Sequence, residues 1–158
     1  MITFCPRCAT PVDQRPFEGT LRPTCPACGY IHFADPKVAA TVLLTYRDQI
    51  LMVRRAVDPQ RGLWSLPGGY VDFGEDPLDA ARRESREEVA IELGDLQLLD
   101  VAFAANVIVI TYTAALLAPI TPTPADDADL ANWFMLDNLP PLAFPTIARA
   151  MEKWKMKA

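Results

Sequence analysis

The sequence predicts an α+β protein: a mixed β-sheet with two helices, preceded by a small cysteine-rich unit. Three observations carry this. All four cysteines lie before residue 29, in two Cys-Pro-x-Cys pairs. Strand-like apolar segments alternate with turn signals over residues 36–118. Two segments with helical character, one beginning near Asp76 and one at Thr146, follow the third and sixth of the strand-like segments. The expected domain division is 1–35 and 36–158.

Each element has a local reason. Val38 to Thr45 is β-branched and aliphatic and reads as a buried strand. Gln49 to Arg54 reads as its hairpin partner, with Tyr46-Arg47-Asp48 as the turn. Leu63 to Val71 contains Pro67-Gly68-Gly69, which breaks any strand there with a tight bend. Asp76 is a good helix N-cap, Pro77 suits the first helical position, and Asp79 places a carboxylate in the first turn. That helix runs to about Val89. Leu96 to Phe103, Val107 to Leu117 and Leu130 to Leu136 read as strands. A Pro-rich stretch, Pro119 to Pro124, separates the last two. Thr146 to Lys157 reads as a terminal helix. Helices and strands in this order give a mixed sheet.

The chain has 158 residues, is 51% hydrophobic and 22% charged, and carries a formal net charge of −5. It can bury an ordinary core, and no apolar run reaches bilayer length. Met1 to Cys8 lacks the pattern of an export signal. A cytoplasmic location and no membrane partner are the expectations. The negative charge argues against nucleic acid as a partner. In a reducing compartment, Cys5, Cys8, Cys25 and Cys28 read as metal ligands rather than disulfides.

On the helix that starts at Asp76, Leu78, Ala81, Ser85 and Val89 share one stripe, expected to face the core. Glu84, Glu87 and Glu88 stand at i, i+3 and i+4 on a neighbouring face, and Glu75 lies just before the helix. Glutamates on a helix are ordinarily solvated surface. Three crowded carboxylates also repel by a few tenths of a kcal/mol per pair. Beside a glycine-rich turn they make a good site for a hard cation that shares its waters with substrate phosphates.

The segment Gly69, Glu75, Arg83-Glu84, Glu87-Glu88 and Ile91 resembles the Nudix box, Gly-x5-Glu-x7-Arg-Glu-aliphatic-x-Glu-Glu-x-Gly-aliphatic. Ser85 departs from the aliphatic position and Ala90 from the closing glycine. Ser85 then needs a partner for its hydroxyl, such as a backbone carbonyl. Ala90 must take a helix-end position that favours positive φ, at about 1 kcal/mol.

The resemblance implies a sheet sandwiched between helices and a metal-dependent hydrolysis of a diphosphate. It implies that Glu84, Glu87 and Glu88, with Glu75 and the carbonyl near Gly69, hold Mg²⁺ or Mn²⁺, and that Arg83 orients a box glutamate. The proton acceptor varies among such proteins between a box glutamate, here Glu84 or Glu88, and an acid on a downstream loop, here Asp127. The paired cysteines resemble a four-cysteine zinc ribbon, closed by four thiolates and therefore structural.

Phe4-Cys5-Pro6, Asp35-Pro36-Lys37, Arg54-Arg55-Ala56, Gly62-Leu63-Trp64 and Leu142-Ala143-Phe144 extend the similarity to a zinc-ribbon Nudix group that cleaves FAD and ADP-ribose. The expected substrate is a small-molecule nucleotide, a nucleoside diphosphate linked to another moiety, with AMP released. Trp64, Phe73, Phe103 and Phe144 are candidates to stack on it. NADH is a lesser candidate, because the Ser-Gln-Pro-Trp-Pro-Phe-Pro motif of NADH pyrophosphatases is missing after the box. A non-catalytic nucleotide sensor is disfavoured by the retained carboxylates. A homodimer is the expected assembly.

Overall fold

The computed structural model describes residues 2–118 and 120–157. Pro119, the first residue of the Pro-rich stretch, lies outside the described residues, as do Met1 and Ala158. The chain forms two compact units, Met1–Pro36 and Lys37–Ala158.

The first unit is a hairpin flanked by two cysteine turns. Strands β1 (Asp13–Phe17) and β2 (Thr20–Thr24) pair antiparallel. The two turns are built alike. The Cys5 amide donates to the Thr10 carbonyl and the Ala9 amide to the Cys5 carbonyl; the Cys25 amide donates to Tyr30 and the Gly29 amide to Cys25. Ala9 and Gly29 both take positive φ, 58° and 73°. The hairpin carries no apolar alternation, so sequence periodicity did not announce it. Phe17 and Phe33 meet edge to face at 5.9 Å and give the unit a small apolar contact.

In the second unit a mixed seven-stranded sheet lies between two helices. Its strands are β3 (Lys37–Tyr46), β4 (Gln49–Arg55), β5 (Trp64–Ser65), β6 (Gly68–Tyr70), β7 (Gln97–Ala104), β8 (Val107–Ala115) and β9 (Ala128–Met135). The path runs β5-β4-β3-β8-β7, with β6 on β3 and β9 on β4. Only β3 and β8 run parallel. Helices α1 (Pro77–Val89) and α2 (Pro145–Lys155) cover opposite faces.

The period-2 geometry of a strand sorts the core. Ala40, Val42, Leu44, Leu51 and Val53 pack toward α1 with Ala80, Ala81 and Val89. Leu43, Ile50 and Met52 pack toward α2 with Ile147, Ala150 and Met151. Because both faces are covered, β3 and β4 read in sequence as continuous apolar runs. No helix among the described residues is long and apolar enough to cross a membrane.

Three details position the site. Strands β3 and β4 pair only at their hairpin end, Thr45 with Ile50 and Tyr46 with Gln49. Farther along, β6 takes the place beside β3, at Ala39 to Thr41. The Gly68–Gly69 bend therefore enters the fork between β3 and β4. Gly68 has φ +147°, and a Cβ there would fall 2.3 Å from the Ala40 carbonyl oxygen, so only glycine fits.

Helix α1 begins as expected, with the Asp76 carboxylate accepting from the Leu78 amide at 2.8 Å. Its buried face differs from the expected stripe. Ala80, Ala81, Ser85, Glu88 and Val89 are buried, whereas Leu78 is only half-buried. The Ser85 hydroxyl is buried without a hydrogen-bond partner among the described residues, contrary to the expectation of a backbone carbonyl. Ala90 ends the helix at φ 56°, and the amides of Ala90 and Ile91 donate back to Arg86 and Ser85.

Two further carbonyls at the end of α1, of Glu88 and Val89, accept from the Ala125 and Thr123 amides. Helix ends must satisfy such carbonyls somehow. Here the Pro-rich segment does it, and Trp133 anchors the segment through an indole N–H to the Ile120 carbonyl at 2.9 Å. This binds the 120–127 loop to the acidic end of α1.

Candidate active site

The box carboxylates occupy graded environments because α1 lies against the Gly68–Gly69 bend. Glu88 is 6% exposed and accepts from the Gly68 amide at 2.8 Å. Burial pushes its carboxyl up to about 8. Glu84 is partly buried and is also raised, chiefly by desolvation. A Cβ on Gly69 would lie 2.4 Å from Glu84 Oε1, so the bend passes directly over that carboxylate. Glu87, one turn outward, is exposed.

Arg83 organises the group. Its guanidinium has five N–H donors in a planar fork. All five are used: Nε and Nη2 donate to Glu75, Nη1 to Glu84 and Glu87, and Nη2 also to the Tyr70 carbonyl. Glu75 accepts from the Asp72 amide as well, and the Arg83 hydrogen bonds hold its carboxyl down at about 2. Both Glu75 oxygens thus bond to Arg83, which favours the ionised carboxylate. A lysine at 83 supplies neither the fork nor the bonds.

The downstream acids divide. Asp126 and Asp127 bear on the box: their charges raise the carboxyls of Glu84 and Glu88 respectively. Asp127 is exposed, and its carbonyl accepts from the Ala56 amide at 2.8 Å. Asp129 turns away to a two-bond pair with Arg54, at 2.8 and 2.9 Å.

The candidate aromatics do not gather. Trp64 packs edge to face on Phe134 at 4.7 Å, and its backbone bonds Pro141 and Ala143. Phe73 is fully exposed. Phe103 is on β7, with β8 and β3 between it and β6. Phe144 lies under the Arg55 guanidinium, 5.3 Å from centroid to Cζ. Arg55 and the Gly68 amide are the two site groups that sequence reasoning had not singled out. The Arg54-Arg55 pair at a strand end was the one signal available for the first. A backbone N–H leaves no sequence signal.

The chemistry of the donors fits hard dications. The box supplies oxygen ligands, and two of its carboxylates are ionised only against a desolvation cost that a cation removes. In the first unit, Cys5, Cys8, Cys25 and Cys28 bring four sulfurs within 4.8 Å of one another, with contacts of 3.5 to 3.6 Å. Zinc–sulfur bonds of about 2.3 Å in a tetrahedron put sulfurs about 3.8 Å apart. Cys8 is drawn down to about 6, first by the Thr10 hydroxyl. Cys28, despite the Tyr30 amide that lowers it, is pushed up to about 12 by desolvation and the neighbouring sulfurs. Crowded thiols ionise against one another, and a dication that takes all four as thiolates removes that conflict.

Several known proteins are similar to this chain. The NAD-capped RNA hydrolase NudC of Stutzerimonas stutzeri is 33% identical over 152 residues, 92% of this chain and 53% of that protein. This chain therefore spans about half the length of that relative. The ADP-ribose pyrophosphatase of Methanocaldococcus jannaschii is 32% identical over 134 residues, 80% of this chain and 77% of that protein. The crystal structure of a Nudix hydrolase from Nitrosomonas europaea superposes with a TM-score of 0.86 at 27% identity, covering 98% of this chain and 93% of that one. The NUDIX domain family model matches residues 35–155, and with it the box, the fork and the covering helices: the chain belongs to the Nudix family.

Proposed function

We propose that the protein is a metal-dependent pyrophosphohydrolase that cleaves the diphosphate of a nucleoside diphosphate joined to another group, with ADP-ribose favoured and FAD next. The observation that carries this is the pair Glu84 and Glu88. They stand one turn apart on α1, desolvated against the Gly68–Gly69 bend, and the Arg83 fork holds Glu84. The ADP-ribose pyrophosphatase, similar over most of both chains, supports the substrate class.

Glu84, Glu87 and Glu88 would hold Mg²⁺ or Mn²⁺, with the carbonyl near Gly69. Such ions lower the pKa of a bound water and neutralise phosphate charge. Arg83 fixes Glu84 and Glu87 in place and keeps Glu75 ionised. The Gly68 amide orients Glu88. Asp127 and Glu88 are the candidate proton acceptors: Asp127 is exposed, and its charge bears on Glu88. Cys5, Cys8, Cys25 and Cys28 would hold a structural Zn²⁺ in a ribbon domain over 1–35, ahead of a catalytic domain over 36–158. Four metal-binding thiols suit a reducing cytoplasm. A homodimer is the assembly to expect.

A second reading is favoured by the NudC relatives, whose match takes in 92% of this chain. An NAD-type dinucleotide, free or capping an RNA, has the same diphosphate. The negative net charge alone does not decide against RNA, since site ions can reverse the local sign. The test is AMP release from ADP-ribose, FAD, NADH and an NAD-capped RNA, with Mg²⁺ or Mn²⁺ and with EDTA. Metal-dependent AMP from ADP-ribose or FAD supports the first reading. Preference for NADH or capped RNA supports the second, and binding with no cleavage of any of them points to a sensor.

A further inference from the structure

Among the arginines around the box, Arg55 is bonded differently. Arg54 is paired with Asp129, Arg82 with Asp79, Arg83 with three glutamates and Arg86 with Glu92. Arg55 has no carboxylate partner among the described residues. Its Nε donates to the Pro59 carbonyl at 2.7 Å, and the ring of Phe144 lies against its face. Its two terminal nitrogens have no hydrogen-bond partner among the described residues.

The backbone brings this guanidinium to the box. Arg55 is the last residue of β4 and opposes Ala128 across β9. The neighbouring Ala56 amide binds the Asp127 carbonyl, and the Ala125 amide binds the Glu88 carbonyl. Strand end, acidic loop and helix end are thus tied together. Arg55 is also the positive charge that most opposes the raised pKa of Glu88. The Pro59 carbonyl and the Phe144 ring fix one edge and one face of it.

We infer that Arg55 is a diphosphate-binding residue: its free Nη1 and Nη2 fork receives phosphate oxygens of the substrate, and Pro59 and Phe144 position it for that. This rests on the pyrophosphohydrolase reading and extends it. The carboxylate side of the site is suited to one phosphate through its metal ions. Arg55 supplies the direct, metal-independent grip on the other. A planar fork with one edge and one face already fixed loses little freedom on binding an anion, and arginine–phosphate pairs are charge-assisted and bidentate. Phe144 then serves the site by positioning Arg55 rather than by stacking on a base.

The test compares wild type with Arg55→Ala, Arg55→Lys and Phe144→Leu, in steady-state cleavage of ADP-ribose and in calorimetric binding of ADP under EDTA. Loss of a charged hydrogen-bonded pair predicts a KM about 10- to 100-fold higher in Arg55→Ala, with kcat within a few-fold. Arg55→Lys, which keeps charge but not the fork, falls between, and Phe144→Leu shows a smaller rise in KM. ADP binding weakens in the same order. An unchanged KM in Arg55→Ala, or a loss confined to kcat, overturns the inference. If wild type cleaves nothing, the enzymatic reading fails by itself, while ADP binding that weakens from wild type to Arg55→Ala still supports the phosphate grip and equal binding still overturns it. Arg55→Lys guards against misfolding of the alanine variant.

Discussion

Ser85 sits fully buried in the middle of α1, where the resembled box has an aliphatic side chain, and its hydroxyl has no partner among the described residues. A buried hydroxyl without a hydrogen bond costs about 1–3 kcal/mol. Ser85→Ala removes the orphan oxygen and keeps the Cβ, so it is expected to stabilise the protein by about 1 kcal/mol in urea denaturation, with activity retained. Equal or lower stability would mean that the hydroxyl finds a partner. Ala90 was legible in advance, because the box names a glycine there and the chain pays for its absence with φ 56°. Glu88 was not. A helical wheel places it beside the apolar stripe, and only the Gly68 bend, packed by tertiary contacts, makes it the most buried carboxylate of the box.

Strand β7 carries a register shift between Leu98 and Asp100. The irregularity brings both Leu99 and Asp100 into buried positions. Burial alone would raise the Asp100 carboxyl, but Arg149 and Lys153 on α2 outweigh it and hold it below the usual range. A lowered carboxyl in the folded state gives stability that is present above the unfolded pKa and lost as pH falls through the folded one. Asp100→Asn is therefore expected to cost about 1–2 kcal/mol near pH 7, less than a fully buried pair, because both cations reach water. The difference from wild type should vanish below the ordinary carboxylate range. A constant difference from pH 7 to pH 2 in thermal melts would contradict this. No sequence pattern announced the tie, since a shifted register cannot be read from alternation. The helices and the β3–β4 hairpin were legible, because caps, turn residues and both-face apolar runs act locally.

At the scale of the whole molecule, the four cysteines and the box were legible from spacing. The β1–β2 hairpin between the cysteine pairs was not, because its residues are mostly exposed and polar. If the cysteines hold zinc, removing one thiolate opens the site and costs folding free energy. Cys25→Ser should lose bound zinc by atomic absorption and lower the melting temperature of the first unit. Full zinc content with an unchanged melt would refute the ribbon. The aromatic candidates were the weakest part of the sequence reading. Trp64 went to packing, and Phe144 went to an arginine, since apolar surface is claimed by the core first.

If Glu84, Glu87 and Glu88 make a metal-dependent hydrolytic site, Glu88→Gln disables it. The change keeps the shape of the side chain and its bond from Gly68 but removes the negative charge. Turnover of ADP-ribose in Mg²⁺ is expected to fall by about 100-fold or more, with circular dichroism and melting unchanged or slightly higher. Turnover within a few-fold of wild type, in a folded variant, would contradict the account.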